Sequence, residues 1–230
     1  MVELSGGIDV KLSVSANART RFNLALHHLF AACRAAARVR ELESQHAGEE
    51  FGEFWEEILH CSLTVVSLSV AAAESFANET LLDSPTFPES MPPSAVKELM
   101  ALIDRKSILD KYRIALSLIS GATLSNDDPV VERMALLIEL RNAVVHFRPE
   151  WFDSQKAHAR LSERLGKEIS ASPFLASEPL FPRAWASANF AEWALVSTVG
   201  YLNTFFAAAK VKNPLEQFRE RLSTLARLTL

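Results

Sequence analysis

The chain contains 230 residues, of which 49% are hydrophobic, with 7 glycines and a formal net charge of −4. This length allows one sizeable hydrophobic core with extensions, and the scarcity of glycine excludes a turn-dense β fold in favour of long helices. The negative net charge excludes nucleic-acid binding through the field of the whole molecule, so such binding would need a local basic patch.

Prolines divide the chain, because they cluster in DSPTFPESMPP (83–93) and SPFLASEPLFP (172–182), two segments that cannot continue a helix. Between them, apolar residues recur at every third or fourth position, which predicts helices. The expected helices span about 17–45, 50–82, 94–104 and 106–119, then a helix from Pro129 to Pro149, a charged amphipathic segment over about 153–169, and two last helices over about 183–211 and 214–227.

These elements predict an all-α, antiparallel up-and-down helical bundle with an inserted helical segment and a C-terminal helix. We expect a single domain over 1–230, with its core at about 17–211, the insertion at about 150–182 and the last helix at about 214–227. Cys33 and Cys61 lie in apolar surroundings without metal-binding spacing, and no secretory signal or membrane-length apolar run is visible. We therefore expect a cytoplasmic protein with no metal site, no cofactor and no membrane association.

One stretch, LIELRNAVVHFRPEWF (137–152), combines a helical apolar pattern with polar residues that do not fit it. On a helix begun by Asp128 and Pro129, Arg141 falls near the middle of the apolar stripe, and Asn142 and His146 lie one turn apart on its flank. An arginine directed inward needs a carboxylate or phosphate partner, and a histidine can give or take a proton near neutral pH. The trio fits phosphate chemistry without a metal.

A carboxylate partner for Arg141 is available on the second helix. That helix carries no charged residue from Ile58 to Ala73, and then presents Glu74, with Asn78 one turn later. We expect Glu74 to pair with Arg141 across the bundle and to fix its orientation. The alternative is purely structural, in which Arg141 extends its stem along the core and pairs for stability alone while Asn142 and His146 satisfy backbone groups.

The segment LRNAVVHF (140–147) resembles the signature of the HEPN superfamily (higher eukaryotes and prokaryotes nucleotide-binding), in which an Arg is followed four to six residues later by a His. Its context, about 50–147 and 183–211, is also similar to that of the superfamily. One toxin branch carries a tyrosine two residues after the His, as the target of an inactivating antitoxin. This chain has Arg148 there, which we count with Glu74 and Asn78 as supporting residues.

The resemblance implies a metal-independent endoribonuclease, as in toxins or phage defence, that acts as a homodimer with two motifs forming one site. Arg141 would stabilise charge on the phosphate, His146 would act as acid or base, and Asn142 would position the substrate. The alternative is a non-catalytic helical module that binds RNA or a partner protein such as an antitoxin, and a small-molecule-binding bundle is a third class. Basic residues on the insertion could extend an RNA-contacting face or could simply be solvated: Lys156, Arg160, Arg164 and Lys167.

Overall fold

A computed structural model describes residues 23–83, 87, 91–150 and 156–227 of the chain. These residues form helices and no strands, which confirms the all-α bundle. The eight α-helices are α1 (Ala25–Gln45), α2 (Phe54–Asp83), α3 (Pro93–Ile103), α4 (Ile108–Ile119), α5 (Pro129–Val145), α6 (Lys156–Leu165), α7 (Ala188–Ala209) and α8 (Arg219–Ala226).

The first two helices form an antiparallel hairpin. Glu57 near the start of α2 pairs with Arg38 near the end of α1, at 2.8 Å between Oε1 and Nε. At the other end, the Glu79 carboxylate accepts the Ala25 backbone N–H at 3.1 Å, so that a side chain of α2 satisfies the first turn of α1. The part of the predicted first helix at 17–22 lies outside the described residues.

Helix α2 occupies the centre of the bundle, because it packs against α1, α4, α5 and α7. Its uncharged run supplies buried valines and alanines, and small residues allow neighbouring helices to approach closely. Phe76 near its end contacts Phe206 of α7 edge to face, with ring centroids 6.0 Å apart. Trp55 near its start shares a small cluster with Ala184, just before α7, so α2 and α7 run in the same direction.

Helix α7 begins later than its predicted start at 183, because residues Leu180–Ala184 form a separate wide turn. Ser187 then caps α7 by accepting the Phe190 N–H at 3.1 Å. The Glu43 carboxylate of α1 accepts the Ala188 N–H at 2.9 Å, which ties the two helices together. Burial raises the pKa of Glu43, and this hydrogen bond offsets part of that rise.

The start of α5 agrees with its sequence signals, whereas its end does not. The Asp128 carboxylate accepts the Val130 N–H at 2.9 Å, and Pro129 occupies the first turn. The helix ends at Val145 with His146 as its C-cap, so the predicted end at Pro149 is wrong. The chain leaves the helix early, and the next residue, Phe147, contacts the ring of His158 on α6.

Helices α5 and α6 are antiparallel neighbours. Glu139 of α5 forms an ion pair with Arg164, and Arg133, nearly two turns earlier, pairs with Glu168 just beyond α6 at 3.0 Å. The segment predicted as an insertion therefore packs along the motif helix and positions side chains beside it.

Candidate functional site

Arg141 lies on the side of α5 that faces the core, at the level where full burial ends. Leu137 and Leu140 are completely buried, Arg141 is half-buried, and Val145 one turn later is 54% exposed. The side chain of Arg141 therefore sits at the edge of the bundle, where burial is only partial. Among the described residues, the guanidinium has no hydrogen bond or ion pair.

Asn142 and His146 are exposed beside Arg141. The His146 N–H donates to the Asn142 carbonyl at 2.9 Å, which makes them neighbours across the last turn of α5. The C-terminal end of a helix carries partial negative charge, so cationic side chains are favoured there. All three motif residues are thus brought to one end of one helix, with Asn142 and His146 exposed and Arg141 half-buried at the edge of the bundle.

Glu74 and Asn78 do not join this site, so the expected ion pair between Glu74 and Arg141 is wrong. Both side chains instead accept from the Lys111 ammonium of α4, at 3.2 Å to Glu74 Oε1 and 3.1 Å to Asn78 Oδ1. The Glu74 side chain is 42% exposed, whereas that of Lys111 is only 5% exposed. The carboxylate serves the buried cation of α4 because an ammonium removed from water needs a charged or polar partner.

The sequence analysis did not identify Lys111, although its position on the helix indicates burial. It lies in register with the buried residues Ile108, Tyr112 and Ala115 of α4, on the apolar face of that helix. The neighbouring Tyr112 hydroxyl donates to the Ala73 carbonyl at 2.6 Å. A lysine on the buried stripe predicts an internal partner, and Glu74 of α2 provides it.

A second histidine, His158, was also missed, and it lies close to the motif. Its ring makes an offset stack with Phe147, with centroids 5.5 Å apart and an interplanar angle of 23°. His158 Nδ1 faces Glu150 Oε2 at 3.8 Å, and both atoms are buried without a hydrogen bond. The signal was again helical spacing, because His158 precedes the buried Leu161 and Leu165 on the inner face of α6.

The basic residues predicted for RNA contact divide into paired and unpaired ones. Arg164 pairs with Glu139, and the Lys167 ammonium, just beyond α6, lies 3.7 Å from the Glu163 carboxylate in the last turn of that helix. Arg160 is exposed and, like the exposed Arg148, has no ion pair with any residue that the structure describes. The side chain of Lys156 lies outside the described part of the chain.

An open cleft of about 430 Å³ lies between α4, α5 and α6, away from the three motif residues. Its polar lining carries both signs of charge, and each cation has an acidic neighbour, as in the pairs Arg113–Asp110 and Arg133–Glu168. A surface whose cations are already paired offers little net attraction to a polyanion. The charged residues that line this cleft are Arg113, Arg133, Arg164, Lys167, Glu132 and Glu168.

The described residues were also compared with the requirements of a metal site and of a membrane-spanning helix. No group of three or more His, Cys, Asp or Glu side chains in that part of the chain is placed to hold a metal ion. One helix there, Phe54–Leu82, is long and apolar enough to cross a membrane by length and composition, with a mean hydropathy of 1.4. The sequence therefore does contain a membrane-length helix, and core helices also satisfy this test.

Comparison with models of known protein families, with characterised proteins and with solved structures finds no match to this chain.

Proposed function

We propose that this protein is a metal-independent endoribonuclease of the HEPN type, which acts as a homodimer in a cytoplasmic toxin or phage-defence setting. The observation that supports this most directly is the state of Arg141. A half-buried guanidinium without an anionic partner among the described residues stands beside an exposed histidine at a helix end. A phosphate would supply the missing anion, because its oxygens match the planar donor fork of arginine.

The proposed reaction is attack of a ribose 2′-oxygen on the adjacent phosphorus. One His146 removes the proton of the 2′-hydroxyl, and the His146 of a second copy donates a proton to the leaving 5′-oxygen. The products are a 2′,3′-cyclic phosphate and a free 5′-hydroxyl, so atoms and charge balance without a metal. Arg141 stabilises the charge that develops on the phosphate oxygens, and Asn142 positions the substrate.

The second candidate is a non-catalytic module that binds RNA or a partner protein. It is favoured by apolar exposure at the same end of α5, where Val145 is 54% and Phe147 is 46% exposed. Apolar side chains beside a polar rim are common where a partner binds. Because Glu74 pairs with Lys111, Arg141 has no orienting carboxylate among the described residues, which a binding site tolerates better than a catalytic one.

The test is incubation of the purified chain with total RNA in EDTA, beside the variants Arg141→Ala and His146→Ala. We expect cleavage by the native chain and a loss of roughly a hundredfold or more in each variant, which is the range that a general acid or base contributes. The matched controls are His60→Ala and Arg105→Ala, which remove an exposed residue of the same type elsewhere on the surface.

The same preparations also discriminate between the two candidates. Absence of cleavage by the native chain, or undiminished cleavage by His146→Ala, would exclude the nuclease. RNA bound but not cleaved, with binding weakened by Arg141→Ala, would support the module. Sedimentation of the native chain measures whether two copies associate, as a composite site requires.

A further inference from the structure

Phe147 is a half-exposed aromatic ring with a rigid support beneath it. It directly follows the motif residue His146 and is 46% exposed. Its inner side makes the offset stack with the His158 ring, and its centroid lies 6.0 Å from that of Phe181. An aromatic ring fixed in this way can accept a second planar group on its outer side.

The support is held by two elements besides the motif helix. His158 is only 9% exposed. Its ring contacts that of Phe181 edge to face, with ring centroids 4.8 Å apart. The Phe181 backbone N–H donates to the Ser162 hydroxyl of α6 at 3.0 Å. The Glu150 carboxylate faces His158 Nδ1 from the segment that follows Phe147. The position of the ring is therefore set by α6 and by the turn before α7.

The arginines near Phe147 in sequence differ in their pairing from Arg133 of α5 and Arg164 of α6. Arg141 and Arg148 flank it in sequence, and Arg160 lies two residues after His158. None of these three arginines has an ion pair within the described ranges 23–83, 91–150 and 156–227. Toward the start of α5, by contrast, Arg133 and Arg164 are each neutralised by a glutamate. Within the described part of the chain, the arginines near Phe147 in sequence are thus unpaired, unlike those toward the start of α5.

We propose that Phe147 is a stacking platform for one unpaired nucleobase of single-stranded RNA, beside the phosphate that Arg141 binds. This inference rests on the proposed function for its ligand class. A nucleobase fits better than an apolar protein side chain, because Arg141 and Arg148, which flank Phe147 in sequence, complement the phosphates on either side of a base. Duplex RNA cannot offer a base in this way, since its bases are stacked within the helix.

The experiment uses a single-stranded 2′-O-methyl oligonucleotide that contains 2-aminopurine, a fluorescent base whose emission falls when it stacks. The 2′-O-methyl groups prevent cleavage, so binding is measured alone. We expect Phe147→Ala and Phe147→Leu to weaken binding roughly five- to a hundredfold, because this is the range that stacking of one base on one aromatic ring contributes. Both variants should also abolish the quenching. Phe147→Tyr keeps the ring and should bind within about twofold of the native chain.

Phe51→Ala is the matched control, because Phe51 is an exposed phenylalanine, at 51%, that packs against the Trp55 ring elsewhere on the bundle, with centroids 5.3 Å apart. It should leave binding unchanged, and the same sequence annealed as a duplex should not quench with any variant. Circular dichroism checks that each variant remains folded, and Phe147→Leu retains an apolar contact with His158.

Three results would overturn the platform: no binding of the oligonucleotide by the native chain, native-like binding and quenching by Phe147→Ala, or loss of self-association in Phe147→Ala with RNA binding intact. The last result would assign the ring to a contact between two copies. RNA cleavage by the native chain is scored separately. If the native chain cleaves RNA and Phe147→Ala binds the oligonucleotide as the native chain does, only the stacking proposal is refuted. If the native chain quenches the fluorescence but cleaves no RNA, only the nuclease proposal is refuted.

Discussion

The contact of Lys111 with Glu74 predicts an asymmetry between two substitutions that remove the same ion pair. The Lys111 side chain is 5% exposed and that of Glu74 is 42% exposed. Glu74→Ala leaves a buried ammonium with only the Asn78 amide oxygen as a partner. Lys111→Met instead removes the buried charge, fills a similar volume and leaves a carboxylate that water can reach. The two variants therefore differ in which charge is left behind.

The expected free energies follow from this difference in burial. Glu74→Ala, which leaves the Lys111 ammonium buried without its carboxylate, should lower the unfolding free energy by about 3 kcal/mol. Replacing the buried cation by an apolar residue of similar length changes the unfolding free energy by no more than about 1 kcal/mol. The double variant should resemble Lys111→Met, because no buried charge then remains. Glu98→Ala, at an exposed position of α3, is the control and should stay within about 0.5 kcal/mol.

Urea unfolding followed by circular dichroism measures these free energies, with an unchanged denaturant slope as the check on the comparison. A cost for Glu74→Ala that equals or falls below that of Lys111→Met would refute the reasoning. The RNA assay gives a second readout. If Glu74 serves Lys111, folded Lys111→Met should cleave RNA as the native chain does, and a selective loss of cleavage in Glu74→Ala alone would return Glu74 to the motif.

Two further predictions concern buried titratable groups. Burial raises the pKa of Glu43 above its ordinary value of 4.5, so its stabilising effect is complete below pH 4.5 and is lost as pH rises through the folded-state pKa. Glu43→Gln should therefore be more stable than the native chain near neutral pH, with the gap closing below pH 4.5; a gap that stays constant in urea unfolding would contradict this. Burial also raises the pKa of the Cys33 thiol to about 12, whereas Cys61 is partly exposed. Iodoacetamide should modify Cys61 first and Cys33 only on unfolding, and equal rates by mass spectrometry would contradict the burial.

The sequence was sufficient for features that depend on local chemistry. Asp128 and Pro129 predicted the start of α5, because capping needs only a side-chain acceptor and a residue without an N–H. Gly121 directly follows the Ser120 cap of α4 and has φ of +70°, a conformation that favours glycine, so a glycine at a helix end is likewise a local signal. The end of α5 could not be predicted in the same way, since it depends on the contact of Phe147 with a helix that follows later in the chain.

The sequence predicted on which face of α5 Arg141 lies, but not which residue pairs with Glu74. A period of 3.6 residues placed Arg141 toward the core, yet it does not tell where the core ends along the helix axis. Pairing Glu74 with Arg141 required knowing which helix faces which side of α2, and α4 supplied a more deeply buried cation. His158 was overlooked because its helix reads as a charged surface segment unless its inner face is followed through Leu161 and Leu165.

The position of Arg141 is not explained by a contribution to the stability of the fold. An apolar residue there would continue the line of Leu137 and Leu140 toward the rim, at no cost in desolvated charge. The guanidinium instead loses part of its hydration without gaining a carboxylate among the described residues. Contacts among the described residues explain Lys111 and Arg164, but none of those contacts explains Arg141. Under the proposed function a phosphate ester supplies an anion to Arg141, and the exposed Asn142 and His146 lie at the same end of α5 to contact that ester.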